Sequence, residues 1–67
     1  MPDIERLKNK INESGIKVTA ISEKTGISRE TLYNRFNGTG EFKASEIVAL
    51  TNVLNLTKDE RDKIFLV

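Results

Sequence analysis

Sixty-seven residues, 37% hydrophobic and 31% charged with eleven basic against ten acidic side chains, describe one small domain over residues 1–67 resting on a single compact core. Without Cys, His or Trp the chain has no means of forming disulfides, thiolate or imidazole zinc sites, or the usual nucleophile–base pairs, so no enzyme, metal site or cofactor is expected. The apolar run Ile64-Phe65-Leu66-Val67 is far shorter than the roughly 18 residues that cross a bilayer, and the first residues carry no signal-peptide apolar region; a cytoplasmic protein with no membrane partner is expected.

Almost every segment reads at helical period, and its punctuation predicts five short helices in an all-α, compact bundle. Pro2 suits a first helical turn, and Ile4, Leu7 and Ile11 make an apolar stripe that runs to Ser14-Gly15, where glycine takes the left-handed stop. The second helix spans roughly Val18 to Thr25, with Val18, Ala20 and Ile21 apolar, and stops at Gly26. Ser28 stands as N-cap of a third helix, Arg29 to Asn37, its hydroxyl able to accept from the amide of Glu30 or Thr31; Leu32 and Phe36 mark its buried side. Thr39-Gly40-Glu41 reads as a turn and Phe42 as an aromatic plug for the core. A fourth helix, Ala44 to Leu54, is predicted to turn Ile47, Val48, Thr51 and Leu54 inward, with Asn55 closing it. Thr57-Lys58-Asp59-Glu60 is a capping box that starts a fifth helix at Lys58, running to about Phe65. On that helix Asp59, Glu60 and Asp62 alternate with Lys58, Arg61 and Lys63, the pattern of a solvated face laced with ion pairs rather than of an acid–base or metal site.

The informative unit is Val18 to Gly38: a two-turn helix, a short turn opened by Gly26 and holding Ile27, and a second helix of similar length, which is helix-turn-helix spacing. In such a unit Ile27 tethers the turn to the core, Gly26 supplies a positive φ, and the second helix is held out for a major groove. At about 100° per residue, Leu32 and Phe36 lie about 300° and 340° from Arg29, while Glu30, Tyr33, Asn34 and Asn37 spread over about 40° to 140°. That outward face is rich in base-reading groups. Arginine offers a fork for guanine O6 and N7, asparagine pairs with adenine N6 and N7, and glutamate accepts from cytosine N4 or holds the arginine in place. The bland alternative is a solvated helix face on a Gly-bounded helix pair, as many small bundles have.

The run VTAISEKTGISRETLYNRFNG resembles the Cro/C1-type (XRE) helix-turn-helix family of phage repressors and their bacterial relatives, and EFKASEIVALTNVLNLTKDERDKIF looks like the continuation in a short, phage-associated branch. The most specific pieces are Ser22 through Ser28, Thr31-Leu32 and Asn37-Gly38. The resemblance implies a lambda-repressor-like five-helix bundle with the helix-turn-helix at helices two and three, dimeric binding to double-stranded DNA operator half-sites, and base contacts from Arg29, Glu30 and Asn34. Ser28 and Thr31 would lie near the start of the recognition helix and Tyr33 would flank it. The family's usual polar residue at the start of helix two is here Val18, preceded by Lys17; Lys17 or the backbone amides of Val18 and Thr19 remain able to hold a phosphate. Arg35 stands where relatives are often apolar, so it either reaches a phosphate or packs its stem. Asn37 and Lys43 complete the expected backbone contacts, and Met1-Pro2-Asp3 offers no basic minor-groove arm.

Charge adds a modest bias. Residues 16–40 hold four cations (Lys17, Lys24, Arg29, Arg35) against two anions (Glu23, Glu30), whereas residues 1–15 and 53–67 each balance three against three. The tail Ile64-Phe65-Leu66-Val67 is a candidate two-fold contact for a homodimer; alternatively, Ile64 and Phe65 close the monomer's own core. The functional expectation is a sequence-specific transcriptional regulator of the phage repressor or Cro type. The small surplus of positive charge and Val18 also suit a protein-interaction module, such as an antirepressor or an antitoxin-like modulator of another regulator.

Overall fold

Helix α1 begins at Asp3 rather than at Pro2: the Asp3 carboxylate accepts from the Arg6 amide at 3.0 Å, and the helix runs Ile4–Ser14. Pro2 thus lies outside the first turn where the sequence reading put it, because a side-chain acceptor satisfies an orphan amide and proline offers none. The computed structural model describes residues 1–66 and contains α2 at Val18–Thr25, α3 at Arg29–Phe36, α4 at Ala44–Val53 and α5 at Lys58–Phe65. No strand occurs among the described residues. Asn37, predicted as the last residue of the third helix, is instead the C-cap of α3, and Leu54 likewise caps α4. Asn55 follows at φ +54°, the left-handed closure expected of it.

Leu7, Ile21, Leu32, Phe36, Leu50, Leu56, Ile64 and Phe65 form the core, drawing at least one buried side chain from every helix. Helix α2 packs on both α3 and α4, and α5 packs on α1 and α4. Phe42 plugs the space beside α5, its ring edge-on to Phe65 with centroids 5.1 Å apart. The inward face of α4 is carried by Glu46 and Leu50, with Ile47 and Leu54 half-buried; Val48, predicted inward, is 59% exposed. Thr51 spends its hydroxyl on the Ile47 carbonyl of its own helix at 2.7 Å. The core-facing stripe on α4 is therefore rotated relative to the sequence reading, because α4 must meet α2 and α5 together.

The tail closes the monomer. Ile64 and Phe65 are buried, and the Asp3 amide donates to the Ile64 carbonyl at 2.7 Å, tying the start of α1 to the end of α5. Of the two readings of this tail, a two-fold contact or closure of the monomer's own core, the burial of Ile64 and Phe65 supports the second. Leu66 is exposed, and Val67, the last member of that expected contact, lies outside the described residues.

Helix α5 is joined to α1 by an ion pair between Lys10 and Glu60. Glu60 also accepts from the Thr57 amide at 2.9 Å, while Thr57 Oγ1 accepts from the Glu60 amide at 3.1 Å, completing the capping box. The Lys10 ammonium, helped by the Thr57 amide, holds the Glu60 carboxyl down at about 2 against an ordinary 4.5, and the same pair raises Lys10 above 10.5. A carboxyl depressed on folding contributes stability that is present above its ordinary value and is lost as pH falls through the folded value; for Lys10 the contribution is present below 10.5 and is lost above it. Glu60→Gln, which keeps an acceptor for the Thr57 amide and discards the charge, is therefore expected to flatten the fall of urea midpoint between pH 4.5 and about 2. An acid limb identical to that of the wild type would remove Glu60 from the acid response.

Candidate nucleic-acid interface

The turn between α2 and α3 is held by hydroxyls at the end of α2. Gly26 adopts φ +76° and donates its amide to the Ser22 carbonyl at 2.9 Å. The Thr25 hydroxyl donates to the Ile21 carbonyl at 2.7 Å and accepts from the Ile27 amide at 3.2 Å, while the Ser22 hydroxyl donates to the Ile27 carbonyl at 2.6 Å. Both polar groups of Ile27 are thus satisfied by α2, and its side chain packs against the core. The sequence reading assigned roles to Gly26 and Ile27 but none to Ser22 or Thr25. A signal for them existed, because hydroxyls in a last helical turn compete for nearby backbone groups.

Ser28 then caps α3: its oxygen accepts from the Thr31 amide at 3.1 Å and its hydroxyl donates to Thr31 Oγ1 at 2.9 Å. With Leu32 and Phe36 drawn inward, Arg29, Glu30, Tyr33, Asn34 and Asn37 are exposed. Tyr33 stands edge-on to Phe36 with ring centroids 6.4 Å apart, so its ring is braced while 52% of the residue remains open to solvent. Among the described residues neither Arg29 nor Glu30 has a side-chain hydrogen bond or ion pair within the molecule.

Two helix starts flank this face. On one side Lys17 provides no side-chain cap for α2, whose first intrahelical bond runs from the Ile21 amide to the Lys17 carbonyl, leaving the amides of Val18, Thr19 and Ala20 ahead of it. Lys17, Val18 and Thr19 share a shallow depression with Tyr33 and Asn12. The Val18 side chain itself leans on the core, so this position presents backbone rather than side chain. On the other side Lys43 and Ser45, at the start of α4, share a second depression with Ser28 and Thr31. Of the four cations in residues 16–40, Lys17, Lys24 and Arg29 have no ion-pair partner among the described residues.

Arg35 is the exception. Its Nε lies 3.3 Å from Glu46 Oε1, its Nη1 donates to the Thr39 carbonyl at 3.3 Å, and its side chain is only 14% exposed. Of the two readings open to Arg35, a phosphate contact or a packed stem, this geometry favours the second; the carboxylate it meets lies eleven residues away on another helix.

A short helix held out from an all-α bundle by a hydroxyl-locked turn, with two helix starts beside its exposed face, defines a helix-turn-helix protein. The helix-turn-helix family model matches residues 7–61, and the chain belongs to this Cro/C1-type (XRE) family of DNA-binding transcription regulators. No curated protein and no solved structure matched the chain. No helix among the described residues is long and apolar enough to cross a membrane.

Proposed function

We propose that the chain is a sequence-specific double-stranded DNA-binding regulator of the phage repressor or Cro type, with residues 29–37 lying in the major groove. The observation that carries this reading is the exposed face of α3, whose guanidinium and carboxylate at Arg29 and Glu30 have no partners among the described residues and lie between two helix starts. Arg29 would take a guanine edge, Asn34 an adenine edge, and Glu30 a cytosine amine or the Arg29 fork. Lys17, the amides of Val18 and Thr19, Asn37 and Lys43 would hold phosphates and set the register, with Ser28, Thr31 and Tyr33 bordering them.

One recognition helix spans few base pairs, so two copies on one duplex face, with half-site centres about 34–36 Å apart, make the natural unit of recognition. Selection of bound duplexes from a random pool tests the reading. The expected result is an enriched inverted repeat whose affinity falls linearly in log salt, by about 0.9 per phosphate neutralised. No enrichment, together with co-purification of a protein partner, would overturn it in favour of an interaction module.

A further inference from the structure

Glu46 is the one charged residue buried among the described residues, 9% exposed, and a single oxygen of its carboxylate does two things. Oε1 accepts from the Lys43 amide at 2.9 Å and from Arg35 Nε at 3.3 Å. Arg35 in turn donates from Nη1 to the Thr39 carbonyl at 3.3 Å. The end of α3, the connecting loop and the first turn of α4 are thereby fastened at one point. Within that loop Gly38 and Gly40 both take positive φ, +81° and +78°, and a Cβ added at Gly40 would lie 3.3 Å from Arg35 Cζ and closer still to Nη1.

Resting on the DNA-binding reading above, we propose that Arg35 and Glu46 are positioning residues for recognition: their pair sets the start of α4 against the start of α3, and so places Lys43 on the phosphate backbone. Neither side chain touches DNA in this assignment. Lys43 shares its depression with Ser28 and Thr31 and has no ion-pair partner among the described residues, so its charge is available at the edge of the recognition face. Its backbone, however, is held by Glu46. Cohesion alone does not account for the pair, because apolar side chains of similar volume serve that purpose at least as well, whereas a shared carboxylate oxygen imposes direction.

The test measures binding to a selected duplex for the wild type, Lys43→Ala, Glu46→Leu, Arg35→Met and the double variant Lys43→Ala/Glu46→Leu, each below its own unfolding transition. Lys43→Ala and Glu46→Leu, which removes the acceptor for the Lys43 amide, are each expected to lose roughly tenfold at 0.1 M salt and to flatten the log–log salt slope by about 0.9, the share of one phosphate. The double variant is expected to lose no more than either alone, because Glu46 acts through Lys43. Arg35→Met, which leaves Lys43 and Glu46 in place, is expected to lose affinity with the same flattening. Additive losses in the double variant would overturn the assignment, as would binding that falls only in step with the folded fraction. Loss on Arg35→Met with Glu46→Leu unaffected would make Arg35 a direct phosphate contact and overturn it equally. A wild-type protein that retains no duplex would overturn the DNA-binding reading, and this assignment with it.

Discussion

Leu32→Ala is expected to cost about 3 kcal/mol of folding stability and to lower the melting temperature by roughly 15 °C, without touching any group proposed to meet DNA. Leu32 is fully buried, and with Phe36 it is one of only two buried side chains on the eight residues of α3. So short a helix has little stability of its own, and its place depends on what its inward face packs against. The loss would be a large share of the whole, since a domain of this size is stable by about 3–10 kcal/mol. Calorimetry of the variant beside the wild type checks the value, and a loss under about 1 kcal/mol would mean that the site collapses around the missing methyls. Duplex binding by Leu32→Ala is expected to follow the folded fraction.

Arg29→Ala is expected to do the opposite: to leave stability within about 0.5 kcal/mol of the wild type and to weaken binding to a selected duplex by about 1–3 kcal/mol, roughly 5- to 150-fold. Arg29 is exposed, has no ion-pair partner among the described residues, and is the first residue of α3, where its charge opposes the positive end of the helix dipole. Folding therefore gains nothing evident from the guanidinium. Competition with single-base-pair variants of the selected site separates its two possible contacts. Relaxed preference at one position assigns Arg29 to a base edge, whereas an equal loss on every duplex moves it to a phosphate.

The contrast between these residues follows the division between local and long-range information. Helix boundaries were legible because the chemistry that sets them lies within a few residues: Ser28 reaches the Thr31 amide, Thr57 and Glu60 satisfy one another, and Gly15 and Gly26 take the left-handed stop. Most of the outward face of α3 was legible for the same reason, since helical period separates Leu32 and Phe36 from Glu30, Asn34 and Asn37, whereas Arg29, about 20° from Phe36 by that period, is exposed as the first residue of the helix. The start of α1 was not legible, because proline and aspartate both favour a first turn and only the bond from the Arg6 amide to Asp3 discriminates between them.

From its sequence alone this protein's five helices, its turn and the residue types on its exposed helix could be read, because each rests on contacts spanning about four positions or fewer. Tertiary packing decided the rest: that Val48 faces solvent while Glu46 is buried, that Ile64 and Phe65 are buried in the chain's own core, and that Arg35 turns to a carboxylate on the next helix. Those outcomes depend on how helices distant in the chain are oriented against one another. Apolar and charged side chains bear no mark of which neighbour will cover them until the whole core has closed.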